Sequence, residues 1–174
     1  LIRMYGKCGS VEESEKIFAS LRDPNDFSWN SMLLTFAQNG RLIEAKKTFE
    51  RMDGKNVTPD QIAFTSILAA CSHAGFVEQC CALFESMVVD HGVEATREHY
   101  SCVVDMLCRS GRLGDAEGLI EAMPVAADEI SWGSLLAACR IDRDVQRGSR
   151  VARSVLGMDG SASPYLLLGS LLGK

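Results

Sequence analysis

The sequence has no surplus of positive charge. Against 18 Lys and Arg it carries 23 Asp and Glu, a formal net charge of −5. Phosphate neutralisation by Lys and Arg supplies most non-specific nucleic-acid affinity, so a basic binder of the ordinary kind is not expected. No apolar run approaches the roughly 18 residues that cross a bilayer, and no sustained period-two alternation marks strands. P-loop, Gly-rich dinucleotide and G-x-S-x-G signatures are missing, and the Ser, His and acidic residues form no catalytic constellation. The three histidines, His73, His91 and His99, have no cysteine at ligand spacing, and the adjacent Cys80 and Cys81 point to different faces of a helix. Neither a metal nor a cofactor is therefore expected, and the carboxylates read as solvated helix surface. The seven cysteines, which also include Cys8, Cys71, Cys102, Cys108 and Cys139, are odd in number and lack a regular framework, which fits a reducing compartment. Leu1 opens the chain in an apolar-periodic stretch with no initiator Met or signal-like region, so a piece of a longer protein is expected.

What the sequence does have is a repeat. It is 47% hydrophobic, enough to bury a core. Gly9, Gly40, Gly75 and Gly111, in KCGSVEE, QNGRLIE, HAGFVEQ and RSGRLGD, are 31, 35 and 36 residues apart. Periods near 34 with short turns signal stacked helical hairpins. Each glycine sits between two helix-like stretches, where the residue closing a helix often takes positive φ, which Gly tolerates best. An aromatic opens each first helix at Trp29, Phe64, Tyr100 and Trp132. The second helices present Phe18/Leu21, Phe49/Met52, Phe84/Met87 and Ile120/Met123 at the i, i+3 spacing of one face.

This register predicts first helices over 27–38, 62–73, 98–109 and 130–141. Pro24 and Pro59 mark breaks between units. The units are then 1–25 (truncated), 26–60, 61–96, 97–128 and 129–162, with 163–174 beginning another. No unit covers its apolar face alone, so one continuous all-α domain, a right-handed superhelical solenoid of helix-turn-helix repeats, is expected.

FSWNSMLLTFAQNGRLIEAKKTFERMDGKNVTPD resembles a pentatricopeptide-repeat (PPR) motif. TREHYSCVVDMLCRSGRLGDAEGLIEAMPVAADEISWGSLLAACR resembles the closing units of the plant PLS subclass, in which short and long motifs alternate and extension (E) motifs follow. The resemblance implies a sequence-specific single-stranded RNA-binding module of a mitochondrial or chloroplast RNA-processing factor, most simply one guiding C-to-U editing. In that family one repeat reads one nucleotide. The reading residues it implies are the residue after the first-helix aromatic and the last residue of the motif: Asn30 with Asp60, Thr65 with Thr96, and Ser101 with Asp128. Asn with Asp resembles a uridine reader and Ser with Asp a guanine reader, whereas Thr with Thr matches no standard pair. The truncated first unit keeps only Asn25. Short polar residues at helix starts are also good caps, the alternative for each of them.

Phe27 and Ile62 match the family position that wedges bases apart, with ordinary core as the alternative. Glu98 departs from apolar character at the same position. Lys7 and Arg109 stand where a cation meets phosphate or simply solvent. The resemblance further implies small editing-cofactor proteins and a deaminase as partners, but the His-x-Glu and Cys-x-x-Cys motifs of a deaminase are absent from this chain, and no membrane is implied. Residues 61–96 have no Lys or Arg and 4 Asp or Glu, which leaves a helical protein-interaction scaffold as the second reading. Arg140, Arg143, Arg147, Arg150 and Arg153 mark a docking patch or a solvated face.

Overall fold

The computed structural model describes residues 1–55, 57–124, 127 and 129–156. Those residues form α-helices and no strand: α1 Ile2–Lys7, α2 Val11–Ser20, α3 Asp26–Gln38, α4 Leu42–Asp53, α5 Gln61–Ala74, α6 Val77–Val89, α7 Arg97–Arg109, α8 Leu113–Ala122, α9 Glu129–Asp142 and α10 Val145–Leu156. The four first helices expected from the repeat thus stand within one residue of their predicted bounds. The contacts group into two compact units, Leu1–Ala95 and Thr96–Lys174. A repeat array is held by nearest-neighbour contacts and has no shared core, so its cohesion is divisible.

Every hairpin turn is closed the same way. One or two residues past the first helix, a glycine takes left-handed φ: +76° at Gly9, +69° at Gly40, and +75° at Gly75 and Gly111. Its N–H reaches back three residues, as in Gly40 to the Ala37 carbonyl at 3.3 Å. The next N–H reaches back five, as in Arg41 to Phe36 at 2.9 Å, Phe76 to Cys71 at 3.1 Å and Arg112 to Leu107 at 2.9 Å. These paired bonds satisfy carbonyls that a helix end would leave open. The fifth hairpin has no glycine. Arg143 adopts φ 56° there, with the same bonds from Arg143 to Arg140 and from Asp144 to Cys139.

In the first unit, α3 packs against α1, α2, α4 and α5. Trp29 (3% exposed) meets Phe18 edge-on at 4.8 Å, donates from Nε1 to the Pro24 carbonyl at 3.1 Å, and carries the Arg51 guanidinium 5.5 Å above its ring. Phe64 is buried between Phe49 and His91, at 5.0 and 5.1 Å. Gly6 lets α1 approach α3: a Cβ there would lie 2.3 Å from Thr35 Oγ1. Leu21 and Met123 leave the i, i+3 face expected for them, because each caps its helix with extended ψ, 125° and 131°.

In the second unit, α9 packs on α7, α8 and α10. The arginine cluster is only partly a free surface. Arg147 Nε donates to Glu117 Oε2 at 2.8 Å, and Arg150 Nη2 donates to the same carboxylate at 3.0 Å. Arg147 also pairs with Asp144. Arg147 and Arg150 thus staple α10 to α8 across one inward-facing glutamate, a third option that spacing along one helix cannot reveal. Arg140, Arg143 and Arg153 stay exposed. Burial works to raise the Glu117 pKa, but the hydrogen bonds and charges of Arg147 and Arg150 prevail and hold it below the usual carboxylate value.

Two predictions follow from these contacts. Replacing Gly40 by Ala, where no atom lies within 4 Å of the added methyl, should cost about 1 kcal/mol through backbone strain alone, and Arg143→Gly should gain a similar amount in denaturant unfolding. Because the folded-state pKa of Glu117 is depressed, the stability it confers is complete above the ordinary value near 4.5 and is lost as pH falls through the folded value. Glu117→Gln should destabilise the second unit by about 1–2 kcal/mol at pH 7 and flatten its acid unfolding below that range.

Candidate nucleic-acid interface

The first helices α3, α5 and α7 begin at polar caps. The Asn25 side chain accepts from the Ser28 N–H at 3.0 Å and from the Ser28 hydroxyl at 2.8 Å. Asp60 Oδ1 accepts from the Ala63 N–H at 2.9 Å, and the Thr96 N–H donates to His99 Nδ1 at 3.0 Å. Capping is thus carried by the same residues that the repeat register marks as the ends of motifs.

Asp60 does more than cap. From the start of α5 it faces the second turn of α3, where Asn30 Nδ2 donates to Asp60 Oδ2 at 2.9 Å and to Oδ1 at 3.1 Å. The carboxylate accepts only, so it fixes which end of the Asn30 amide faces it. The other end, Asn30 Oδ1, is buried and has no hydrogen-bond partner, on a residue 7% exposed. An unpaired buried acceptor costs about 1–3 kcal/mol, a deficit that an incoming N–H donor would remove. Asp60 itself is exposed.

One turn before Asn30 in α3, and one turn before Thr65 in α5, stand Phe27 and Ile62. They are 69% and 58% exposed, so they do not belong to the core. The first unit therefore presents an edge of Phe27, Asn30, Asp60, Ile62 and Thr65: two apolar side chains beside an oriented polar pair. Thr65 donates to the Gln61 carbonyl at 2.7 Å within its own helix. Its counterpart Thr96 belongs to the other unit and is described there only as the cap of α7.

In the second unit Ser101 Oγ donates to the Arg97 carbonyl at 2.9 Å and lies 3.2 Å from the Ser131 hydroxyl. Its expected partner Asp128 lies outside the described residues, as do the end of the 129–162 unit and all of 163–174. Glu98 is exposed. Sequence reasoning passed over Ile130, which occupies the Phe27 and Ile62 position of α9 and is 70% exposed; register alone would have found it. Gly133 holds the reading position of α9, so that hairpin offers no side chain there. Lys7 is exposed at the end of α1, whereas Arg109 is bound to Asp105 at 2.7 Å.

All seven thiols are free. Burial, aided by Asp105, pushes Cys102 up to about 11 and Cys108 up to about 12. Burial, with Asp144 adding to it, raises Cys139 to about 11. These three offer little thiolate near neutrality. Among the described residues no three His, Cys, Asp or Glu side chains are grouped to hold a metal ion.

Stacked helical hairpins with an oriented polar pair at the junction between neighbours define an α-helical repeat protein. The profile described as the PPR repeat matches residues 1–23, 62–91 and 98–126, and that of the PPR repeat family matches residues 24–73. The chain belongs to the pentatricopeptide-repeat family. It is 45% identical over 178 residues to the Arabidopsis thaliana pentatricopeptide repeat-containing protein At2g13600, covering 100% of this chain and 26% of that protein. To the mitochondrial At1g06140 of the same plant it is 40% identical, over 98% of this chain and 31% of the relative; to the chloroplastic At3g49170 it is 38% identical, over 98% and 20%. The chain thus spans between a fifth and a third of these relatives. Its fold matches that of PPR10 in complex with an 18-nt psaJ RNA element, with TM-score 0.85 and 20% identity over 98% of this chain and 26% of that one. It also matches the PPR domain of Arabidopsis thaliana protein-only RNase P 1 in complex with tRNA, with TM-score 0.79 and 17% identity over 99% and 95%.

Because Asp60 serves two neighbours, its removal should be felt twice. Asp60→Ala is expected to cost the first unit about 1 kcal/mol by loss of the α5 cap. Asp60→Asn, which still offers an acceptor, should cost less in the same denaturation measurement while relaxing the orientation of Asn30.

Proposed function

We propose that this chain is the RNA-reading part of a longer organellar protein of the PLS subclass, and that Asn30 with Asp60 reads a uridine. The observation that carries the reading is the buried, unpaired Asn30 Oδ1, oriented by the Asp60 carboxylate behind it. Such an acceptor asks for an N–H. Uracil carries one at N3, where cytosine has an acceptor. Exposed Phe27 and Ile62 on either side would hold the base by apolar contact. The RNA-bound state of two proteins of the same fold supports this reading. Ser101 with Asp128 is assigned to guanine, Thr65 with Thr96 is a weak reader, and Asn25 is the remnant of a further pair.

C-to-U editing is the process the reading favours, through small cofactor proteins and a deaminase supplied by other chains or by parts of the protein outside this one. Residues 129–162 act as an extension motif, an assignment supported by Gly133 at the reading position. The mitochondrial and chloroplastic names of two relatives support an organellar compartment. No chemistry is assigned to this chain itself. The second reading, a protein scaffold without base specificity, draws on the acidic 61–96 unit, where Phe76, Val88 and Val89 are 46%, 46% and 73% exposed.

The test is binding by the full-length protein to RNAs that differ only at the nucleotide facing the 26–60 hairpin. Asn30→Thr should shift preference from uridine towards guanine by about 1–3 kcal/mol, with the salt dependence almost unchanged because phosphate contacts are untouched. Equal relative affinities for the four bases before and after the substitution would remove Asn30 and Asp60 as readers and leave the scaffold reading.

A further inference from the structure

A second recess in the first unit is separate from the edge of Asn30 and Asp60. It lies between α2 and α4 and the chain leading into α3, with a volume of about 530 Å³, and neither Asn30 nor Asp60 is among its walls. The size falls within the range of sites that take small ligands or a few side chains of a peptide. Its floor is apolar, formed by Phe18, Trp29 and Met32. Buried Thr48 (5% exposed) also lines it.

Four cations stand at its mouth: Arg22, Lys47, Arg51 and Lys55. Lys47 and Arg51 stand one turn apart on one face of α4, and Lys55 follows just beyond the end of that helix. All four are exposed, and among the described residues none of them is held in an ion pair. Repeat architecture does not require these charges. The positions 35 residues later, along α6, are Ala82, Ser86 and Asp90. A chain with a net charge of −5 therefore gathers at this recess four cations that make no ion pair among the described residues, one of which, Arg51, rests over the Trp29 ring.

The anions at the mouth narrow the choice of occupant. Glu44 is bound to Arg41 at 3.2 Å, but Glu15 and Asp23 also line the recess. An RNA backbone is uniformly negative and would meet both carboxylates, and a bare phosphate leaves the lining side chains of exposed Leu21 and half-buried Val57 uncovered. A peptide carrying one or two carboxylates next to an aromatic or aliphatic side chain meets both demands: its apolar group packs against Leu21 and Val57, and its carboxylates pair with Lys47, Arg51 and Lys55. We infer that this recess is a docking site for a short acidic segment of a partner protein, bearing an apolar anchor, and that it works independently of base reading.

Selection of the full-length protein against a displayed library of random seven-residue peptides tests this. The expected consensus is Asp or Glu flanking Phe, Tyr, Leu or Ile. A synthetic peptide of that consensus should lose at least tenfold in affinity with the double substitution Lys47→Glu and Lys55→Glu, whose side chains lie outside the core, and should weaken as salt rises. Asn30→Thr should leave its affinity unchanged, and excess oligouridylate should not displace it. A failure of uridine reading with peptide binding intact would sink only the Asn30 assignment. The docking site is overturned by selection without consensus, by a basic or purely apolar consensus, by affinity indifferent to the double substitution, or by displacement with oligouridylate.

Discussion

The structure depends on one backbone constraint, repeated at every hairpin. A first helix must end by turning its chain back on itself within about three residues, and the only inexpensive way is a residue with left-handed φ that lets two successive N–H groups cap the open carbonyls. Gly9, Gly40, Gly75 and Gly111 supply it, and Arg143 accepts the strain where glycine is lacking. In the first unit the aromatic at the fourth position of α3 and of α5 meets the same kind of neighbour, Trp29 against Phe18 and Phe64 against Phe49. Helical periodicity supplies the apolar faces, but the turn decides which faces come together.

The junction between units has a second use. A helix start must satisfy its free N–H groups, and Asp60 does so for α5 while holding the amide of Asn30 from the preceding unit. One side chain thus serves two helices. The carboxylate orients the Asn30 amide, and one buried acceptor, Asn30 Oδ1, has no partner among the described residues.

Charge is distributed to similar effect. Although the chain is acidic overall, its cations are not interchangeable. Arg147 and Arg150 are committed to Glu117 and bind α10 to α8, and Arg109 is committed to Asp105. Lys47, Arg51 and Lys55 line a recess of the first unit without an ion pair instead. A count of charges along the sequence gives all of these equal weight, whereas only their placement separates structural staples from the rest.

By itself the sequence determined the helical class, the period, the turn positions and the bounds of the four first helices to within a residue, because each follows from local rules: helical spacing, glycine at positive φ and polar caps at helix starts. The pairing of Asn30 with Asp60 came from the family resemblance. The sequence did not determine what Asp60 holds, that Asn30 keeps an unsatisfied oxygen, that Phe27 and Ile62 lie outside the core, or that two of five arginines are bound to a glutamate on another helix. Those outcomes depend on which surfaces meet. Apolar spacing constrains a helix face only to about a quarter-turn, and ion pairs between helices leave no periodic trace in a single strand of sequence. Tertiary packing alone settled them, since burial and partner distance are properties of two segments at once.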